Sequence, residues 1–364
     1  MLSGIGANTQ STYDPDTDSN VGFNLVSFSR QRGQQAQSNW ESGIQSLSDN
    51  GINRVTLNLY REVHASTGRI VASQGTGNDV LRASLQKSRE LGMHVTLNPI
   101  FEVDGDDDAW RGAFAPEGSD ATRFQRGYKK WIRQMARIGQ KAGADRINVG
   151  TELVAMTSDP ANNRFFTDVI SIADKRFSGE IGYAANWDNL GDTNLASVVW
   201  NNPVIDYVGV DAYFSGPLAV VDQNTAANSG VNPGFVDEVT DGWNRVIDDH
   251  ILPVAYAAHN GAGLPVVIQE FGAVPFDLTS VNPWSTNPGE VATGATSEVV
   301  DSEEQAALII GLQNALDGRG EQIESVNFWT WTFEANPNDA FGLGPGSNPD
   351  AELATNAILD FVNG

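Results

Sequence analysis

Cysteine is absent from the 364 residues, which excludes disulfides, thiolate nucleophiles and cysteine-based metal sites. No apolar run is long enough to cross a bilayer, so we expect a soluble protein without a membrane partner. The polar segment that follows Met1 does not resemble an export signal. We expect an extracellular protein whose export signal is not part of this chain.

Positive charge is scarce. Lysine and arginine together number 22 against 46 aspartates and glutamates, giving a formal net charge of -24. Such a balance argues against nucleic acid and anionic membranes as partners. Only five of the cations are lysines, a pattern that favours adaptation to high salt, where ions screen the self-repulsion of an acidic surface. An ordinary acidic secreted protein is the alternative.

Histidine is also rare, and the four present do not form the cluster that a catalytic metal requires. Two acidic stretches were considered as calcium sites, the first because its aspartates alternate as in calcium loops, but solvated loops are the preferred interpretation. In the first, Ser19 and Leu25 replace the glycine and glutamate of an EF-hand. We therefore expect no metal and no cofactor. The two stretches contain Asp14, Asp16 and Asp18, and Asp104, Asp106, Asp107 and Asp108.

Strand and helix patterns alternate along most of the chain. Eight short apolar runs, each followed by a helical pattern, predict one α/β domain at residues 21–364, a single (β/α)8 TIM barrel preceded by a flexible acidic segment at residues 1–20. Trp40, Trp131 and Trp243 fall within helical patterns and are expected in the core. The predicted strands are residues 21–27, 54–60, 94–100, 146–149, 181–185, 207–211, 265–269 and 325–329.

Two of these strands end on a glutamate. Glu152 follows the fourth strand and Glu270 ends the seventh. Because the carboxyl ends of all barrel strands open on one face, the two side chains should meet there, about 5 to 5.5 Å apart as in a retaining glycosidase. For either glutamate taken alone, anchoring a loop through Arg61 or Arg111 would be the preferred interpretation. Two at corresponding strand ends favour catalysis.

Three sequence segments resemble clan A glycoside hydrolases, most closely the family 113 endo-β-1,4-mannanases. They are residues 147–153, residues 206–214 and the strand ending Gln269-Glu270-Phe271-Gly272. The last strand, with Phe328-Trp329-Thr330-Trp331, is similar to that of the same family. The resemblance implies a barrel enzyme that cleaves a β-linked polysaccharide by double displacement. It does not decide between mannan, which we place first, and a β-glucan.

The resemblance also implies roles for individual residues. Glu152 matches the acid/base and Glu270 the nucleophile, whereas Tyr213 matches the tyrosine that holds the nucleophile. Trp329 matches the aromatic floor beneath the sugar at the cleavage point. The chain departs from much of the clan at Thr151, which stands where an asparagine usually grips the substrate 2-hydroxyl.

Other polar and aromatic residues on or after the predicted strands complete the expected substrate site. Trp110 and Trp284 lie in loops, where a tryptophan stacks on sugar or fixes the loop with similar frequency. We expect a monomer whose partner is a polysaccharide or oligosaccharide. The alternative from another class is a carbohydrate-binding barrel without turnover. The remaining expected substrate-binding residues are Tyr60, Asn98, Asn186, Trp187, Asp211 and Trp331.

Overall fold

The computed structural model describes residues 20–26, 33–72, 77–104, 110–216, 218, 231–294, 299–333 and 340–363. The acidic segment expected at residues 1–20 lies outside them, apart from Asn20. The described residues contain nine β-strands in one sheet. They are β1 (Val21–Leu25), β2 (Arg54–His64), β3 (Arg69–Ala72), β4 (His94–Asp104), β5 (Arg146–Thr151), β6 (Glu180–Asn186), β7 (Tyr207–Asp211), β8 (Val266–Phe271) and β9 (Ile323–Phe328).

The sheet closes on itself. Its strands follow the order β1, β9, β8, β7, β6, β5, β4, β2, and pairing of β1 with β2 completes the ring. These eight strands are parallel, so the predicted (β/α)8 barrel is confirmed, and each expected strand is present. The short strand β3 was not expected. It runs antiparallel to the end of β2 and extends it as a hairpin beyond the ring.

Helices surround the ring and connect its strands. The 25-residue α3 presents the expected apolar stripe to the barrel, with Phe124, Tyr128 and Ile132 buried. Trp40, Trp131 and Trp243 are buried as expected. The helices are α1 (Gly33–Asp49), α2 (Asn78–Glu90), α3 (Gly118–Ala142), α4 (Val154–Thr157), α5 (Asn163–Asp174), α6 (Thr193–Leu195), α7 (Pro233–Arg245), α8 (Leu252–Gly261), α9 (Pro288–Thr293), α10 (Ser302–Leu316) and α11 (Glu352–Asn363).

The helix expected over residues 236–258 is present, with a π-helical turn in its middle. The segments α7, the π-helical turn (Val246–Ile251) and α8 follow one another without a gap, and the backbone leaves helical geometry at Ala258. Pro253 lies in the first turn of α8 and has no N–H to donate to the preceding turn, which accounts for the irregularity. The loop expected after β8 also contains a helix, α9.

No helix among the described residues combines the length and the apolar character that a membrane span requires.

A ladder of buried amides crosses the barrel interior beneath the carboxyl ends of the strands. Asn58 donates to Asn24 at 3.0 Å, and Asn98 donates to Asn58 at 2.9 Å. Asn148 donates to Asn98 at 2.9 Å and accepts from the Tyr207 hydroxyl at 2.7 Å. Because every member is paired, burial of these polar groups carries little penalty. The ladder therefore links β1, β2, β4, β5 and β7 just below the site.

Candidate active site

Glu152 directly follows β5 and has an unusual backbone. Its φ of 51° lies in the left-handed region, which is strained for a residue with a side chain, and its N–H donates to Ala184 O at 2.8 Å. This conformation turns the chain sharply where the strand ends. The residue is 5% exposed. Backbone strain of this kind concentrates at functional sites.

Three donors hold the Glu152 carboxylate. The Asn186 amide donates to Oε1 at 2.8 Å. On the other oxygen, the Trp110 indole donates to Oε2 at 3.1 Å, and Arg111 Nη2 lies 2.6 Å from the same atom. Asn186 ends β6, whereas Trp110 and Arg111 come from the segment between β4 and α3. Glu152 is thus an ion-paired carboxylate with both oxygens occupied.

Glu270 lies in β8, directly opposite Asp211 of β7 in the strand register. It is 3% exposed, and the Tyr213 hydroxyl hydrogen-bonds its carboxylate. The pKa of Glu270 is raised to about 8, mainly by burial and also by the nearby Glu152 charge, although Arg111 and the Tyr213 hydrogen bond act in the opposite direction. The substrate-free site therefore favours a proton on Glu270.

Asp211 is a third buried carboxyl in the same place. It has no exposed surface, and neither carboxyl oxygen has a hydrogen-bond partner among the described residues. Burial raises the pKa of Asp211 well above its usual range, and the charges of Glu270 and Glu152 act in the same direction, whereas Arg111 opposes them. The structure does not bring Asp211 to the surface of the cleft, where a substrate-binding residue was expected.

Tyr60 and Tyr213 are the aromatic hydroxyls of the site. Both are almost fully buried, and burial raises the pKa of each. Their titration also responds to the charges of Glu152, Glu270 and Arg111, which places both hydroxyls among the site's charged groups. Both therefore remain neutral donors at working pH.

Trp329 and Trp187 are the half-buried aromatic residues at the strand ends. Trp329 follows β9, and its N–H donates to Phe271 O at 2.7 Å, so it lies next to the end of β8. Gly272 allows this approach, because a Cβ there would lie 2.5 Å from the Trp329 carbonyl oxygen. Trp187 follows β6 and packs against Phe214 with ring centroids 5.7 Å apart. Both residues remain partly exposed.

Two expected substrate-binding residues lie elsewhere. Trp331 is 2% exposed, donates to Ser46 Oγ of α1 at 3.1 Å and packs edge-on against Phe23 at 4.9 Å. It therefore fills the space between the barrel and α1. Asn98 is fully buried in the amide ladder, where its carbonyl oxygen also accepts from Thr151 Oγ1 at 2.7 Å. Neither residue is accessible to a substrate.

Arg111 and Trp110 are the site residues that sequence reasoning did not assign. Arg111 was considered only as an anchor for a glutamate, together with Arg61, which instead lies over the Trp131 ring at 5.6 Å. Trp110 remains 41% exposed while its indole nitrogen contacts Glu152. The adjacent Trp-Arg pair in a loop after a strand was the available signal. The sequence contains no information on where that loop folds.

One acidic cluster among the described residues has the spacing of metal ligands. Its three members, Asp277, Asp301 and Glu304, place carboxylate oxygens within 4.8 Å of one another. Both Glu304 oxygens already accept backbone N–H groups, those of Leu278 and Ser280, so this carboxyl fixes the loop after β8. The cluster does not include Glu152 or Glu270 and carries no assignment as a metal site.

The structure describes only one residue of the two acidic stretches that were considered as calcium sites. Asp104 binds His64 and accepts from the Ala65 N–H at 2.7 Å, so its carboxylate braces the end of the β2–β3 hairpin. The other acidic residues of both stretches lie outside the described residues. They are Asp14, Asp16, Asp18, Asp106, Asp107 and Asp108.

Comparison with known families gives one match. The sequence model of Glycoside Hydrolase Family 113 matches residues 25–335, which include both glutamates and seven complete strands of the barrel. A search of curated proteins finds no match.

Solved structures with the same fold include several mannanases. One described as a GH113 beta-1,4-mannanase in complex is 14% identical, with a TM-score of 0.69 and coverage of 94% of this chain and 98% of the other. The GH113 beta-mannanase AaManA from Alicyclobacillus acidocaldarius is 17% identical, with a TM-score of 0.68 and coverage of 94% and 97%. An endo-1,4-beta-D-mannanase from Thermotoga petrophila is 13% identical, with a TM-score of 0.57 and coverage of 94% and 99%. At these identities the likeness establishes the fold.

Proposed function

Because the chain belongs to glycoside hydrolase family 113, we propose that this enzyme cleaves a β-1,4-linked mannan within the chain and with retained anomeric configuration. The observation that carries the proposal is the pair of buried glutamates at the ends of β5 and β8. Their surroundings differ. Glu152 is held by Asn186, Trp110 and Arg111, whereas Glu270 is held by Tyr213.

Glu270 is assigned as the nucleophile. In the first step its carboxylate attacks the anomeric carbon while the bond to the leaving-group oxygen breaks, and Glu152 gives that oxygen a proton. The product is a glycosyl ester on Glu270. The hydrogen bond from Tyr213 keeps one oxygen of Glu270 in place during the attack.

Glu152 changes role in the second step. A water molecule attacks the ester carbon, Glu152 takes the water proton, and the Glu270 carboxylate is released. Two displacements on one carbon restore the original configuration. The Glu152 carboxyl must therefore be an acid in one step and a base in the next.

The substrate assignment rests on relatives. Proteins described as mannanases share the fold at near-complete coverage, which supports mannan as the first choice. A β-glucan is the second choice, because the described site does not distinguish the two sugars. Trp329 and Trp187 supply ring faces for pyranose stacking. A polymeric substrate also fits an enzyme that works as a monomer outside the cell.

A carbohydrate-binding barrel without turnover is the alternative from another class. Such a protein has no need for two buried carboxyls in one site, since each costs free energy to bury. The strained backbone of Glu152 and the burial of both glutamates in one site fit catalysis better. Release of reducing sugar from purified mannan at high salt separates the two functions.

Two alanine variants test the mechanism. Glu270→Ala should abolish turnover, and azide should restore cleavage of an activated aryl glycoside with an inverted product, because the anion attacks from the vacated side. Glu152→Ala should retain cleavage of substrates whose leaving group needs no proton, and azide should there give a product of retained configuration. The matched control, Glu180→Gln at the opposite end of the barrel, should keep wild-type turnover.

Proton NMR of the wild-type reaction tests the premise. A first-formed product with inverted configuration would overturn the assignment of Glu270 as nucleophile. If the folded protein released no sugar from mannan, glucomannan or β-glucan in low or molar salt, the proposal of a hydrolase acting on these polymers would fail, and the binding barrel would be favoured.

A further inference from the structure

Trp110 is an exposed aromatic residue that touches one of the two glutamates. Its indole N–H donates to Glu152 Oε2 at 3.1 Å, while 41% of the residue remains exposed to solvent. The tryptophans at the strand ends, Trp187 and Trp329, are only half-buried but less exposed than Trp110. Trp110 therefore combines direct contact with the carboxyl assigned as acid/base and a ring that solvent reaches.

Gly112 determines which face of the indole is open. A Cβ at this position would lie 2.2 to 2.4 Å from three adjacent carbons of the six-membered ring, Cζ2, Cη2 and Cζ3 of Trp110. A point almost equally close to three adjacent ring atoms lies above the ring face, so one face packs on the glycine backbone. The Ala113 N–H donates to the Trp110 carbonyl oxygen at 3.0 Å, and Phe114 packs edge-on against Phe101, which fixes the segment. The opposite face is the one that a ligand can reach.

The chemistry of cleavage places the two sugars on different sides of the glutamates. The acid must lie within hydrogen-bond reach, about 2.6 to 3.2 Å, of the oxygen that departs with the leaving-group sugar. Glu270 instead attacks the anomeric carbon of the sugar that stays. In the ring of strands, β8 is separated from β5 by β6 and β7, whereas Trp110 follows β4, the neighbour of β5 on the opposite side. Trp110 thus contacts Glu152 from the side that faces away from Glu270.

Resting on the function proposed above, we propose that the open face of Trp110 binds the leaving-group sugar by stacking against the apolar face of its pyranose ring. The same side chain holds Glu152 Oε2 through its N–H. One ring therefore positions both the acid and the sugar whose oxygen the acid protonates, which aligns the bond to be broken. Trp187 is the alternative ring, but it packs against Phe214 and is less exposed.

Two substrates that differ in the leaving group test this platform. Mannotetraose releases a sugar, whereas β-mannobiosyl fluoride releases a single ion that has no ring to stack and little need of a proton. In Trp110→Ala, kcat/KM for mannotetraose should fall about 10- to 30-fold, the usual loss for one aromatic binding residue. For the fluoride, kcat/KM should stay within about threefold of the wild type, because this parameter reports only the steps up to formation of the ester on Glu270.

Three further variants separate the ring face from the N–H. Trp110→Phe keeps an aromatic face without the N–H and should lose only about threefold on mannotetraose. Gly112→Ala keeps the indole, but its Cβ pushes the ring away, so it should show the same selective loss as Trp110→Ala. The matched control is Tyr256→Ala, which removes an exposed ring on α8 and should keep both activities. Melting temperatures verify that each variant is folded.

The outcomes separate this inference from the function on which it rests. If the wild type cleaves neither substrate, in the mannose or the corresponding glucose series, the proposed function falls and this inference with it. If the wild type cleaves both but Trp110→Ala loses both by the same factor, only this inference is wrong. Equal losses on mannotetraose in Trp110→Ala and Trp110→Phe would show that the N–H matters and not the ring face. A selective loss in Trp187→Ala but not in Trp110→Ala would overturn the inference as well.

Discussion

Arg146 closes the end of the barrel opposite the active site, and its removal should destabilise the fold without affecting catalysis. Its side chain is only 2% exposed and forms ion pairs with Glu180 and Glu324. The guanidinium also lies over the Tyr207 ring, 5.2 Å from its centroid. Burial alone would lower the pKa of Arg146, but the two glutamates reverse that effect. We therefore expect Arg146→Met to be stable enough to purify yet clearly weakened.

The size of the loss follows from the exposure of the three groups. Removing one partner of a fully buried ion pair costs about 3 to 5 kcal/mol. Here both glutamates are partly exposed, with side-chain accessibilities of 48% and 35%, so each can regain water once Arg146 is gone. Methionine also keeps much of the arginine's apolar volume. We therefore expect Arg146→Met to lower the free energy of unfolding by about 2 to 4 kcal/mol, somewhat less than the loss of a fully buried partner.

Urea unfolding at fixed salt, followed by circular dichroism and tryptophan fluorescence, measures this loss. The control is Lys129→Met, which breaks the exposed Lys129–Asp168 pair of 3.1 Å and should cost at most about 1 kcal/mol. Arg146 begins β5, about 20 Å along the strand from Glu152, so kcat should stay at the wild-type value. If Arg146→Met and Lys129→Met lost the same free energy of unfolding, the idea that the Arg146 ion pairs stabilise the fold would be wrong. A lower kcat in Arg146→Met would show that this end of the barrel affects the active site.

Two further predictions concern the surface and the cleft. Because the formal net charge is -24, the melting temperature should rise with NaCl into the molar range, where the Debye length falls to about 3 Å; equal values in low and molar salt would exclude salt adaptation. Trp329→Ala should lower activity while the melting temperature stays close to the wild-type value, because Trp329 is only half-buried. Trp331→Ala should instead lower the free energy of unfolding by about 3 to 5 kcal/mol, because Trp331 is almost fully buried. A stable Trp331→Ala with impaired activity would contradict its placement in the core.

Strand periodicity was sufficient to predict the barrel. Apolar runs of four to seven residues, each followed by a helical stripe, identify parallel strands whose ends share one face. This rule placed Glu152 and Glu270 on that face without any contact information. It failed for the β3 hairpin, because residues 69–72 lie outside the alternation that predicted the eight strand-helix pairs.

The direction of individual side chains is the second feature that the sequence did not predict. Asn98, Asp211 and Trp331 lie on or after barrel strands, as a substrate-binding residue should, yet each is buried. Neighbouring residues of a strand point to opposite faces, so a difference of one position separates the cleft from the core. For Trp331 the direction depends on contacts with Ser46 and Phe23, which are distant in sequence.

The positions of loop residues are the third feature that the sequence did not predict. Arg111 and Trp110 reach Glu152 from a loop whose path no periodicity describes, although they provide its cation and one of its neutral donors. Strand ends thus specify which carboxyls meet, whereas the loop supplies two of the three donors to Glu152.

Thr151 shows how the scaffold changes what the substrate site can recognise. In much of clan A the residue before the acid/base is an asparagine that grips the sugar 2-hydroxyl, but here Thr151 is fully buried and donates to Asn98 inside the amide ladder. Mannose and glucose differ only in the orientation of that 2-hydroxyl. Since Thr151 is committed to the barrel interior, discrimination between mannan and β-glucan must come from residues above the ladder. Asn186 is the buried amide that remains beside Glu152 at that level.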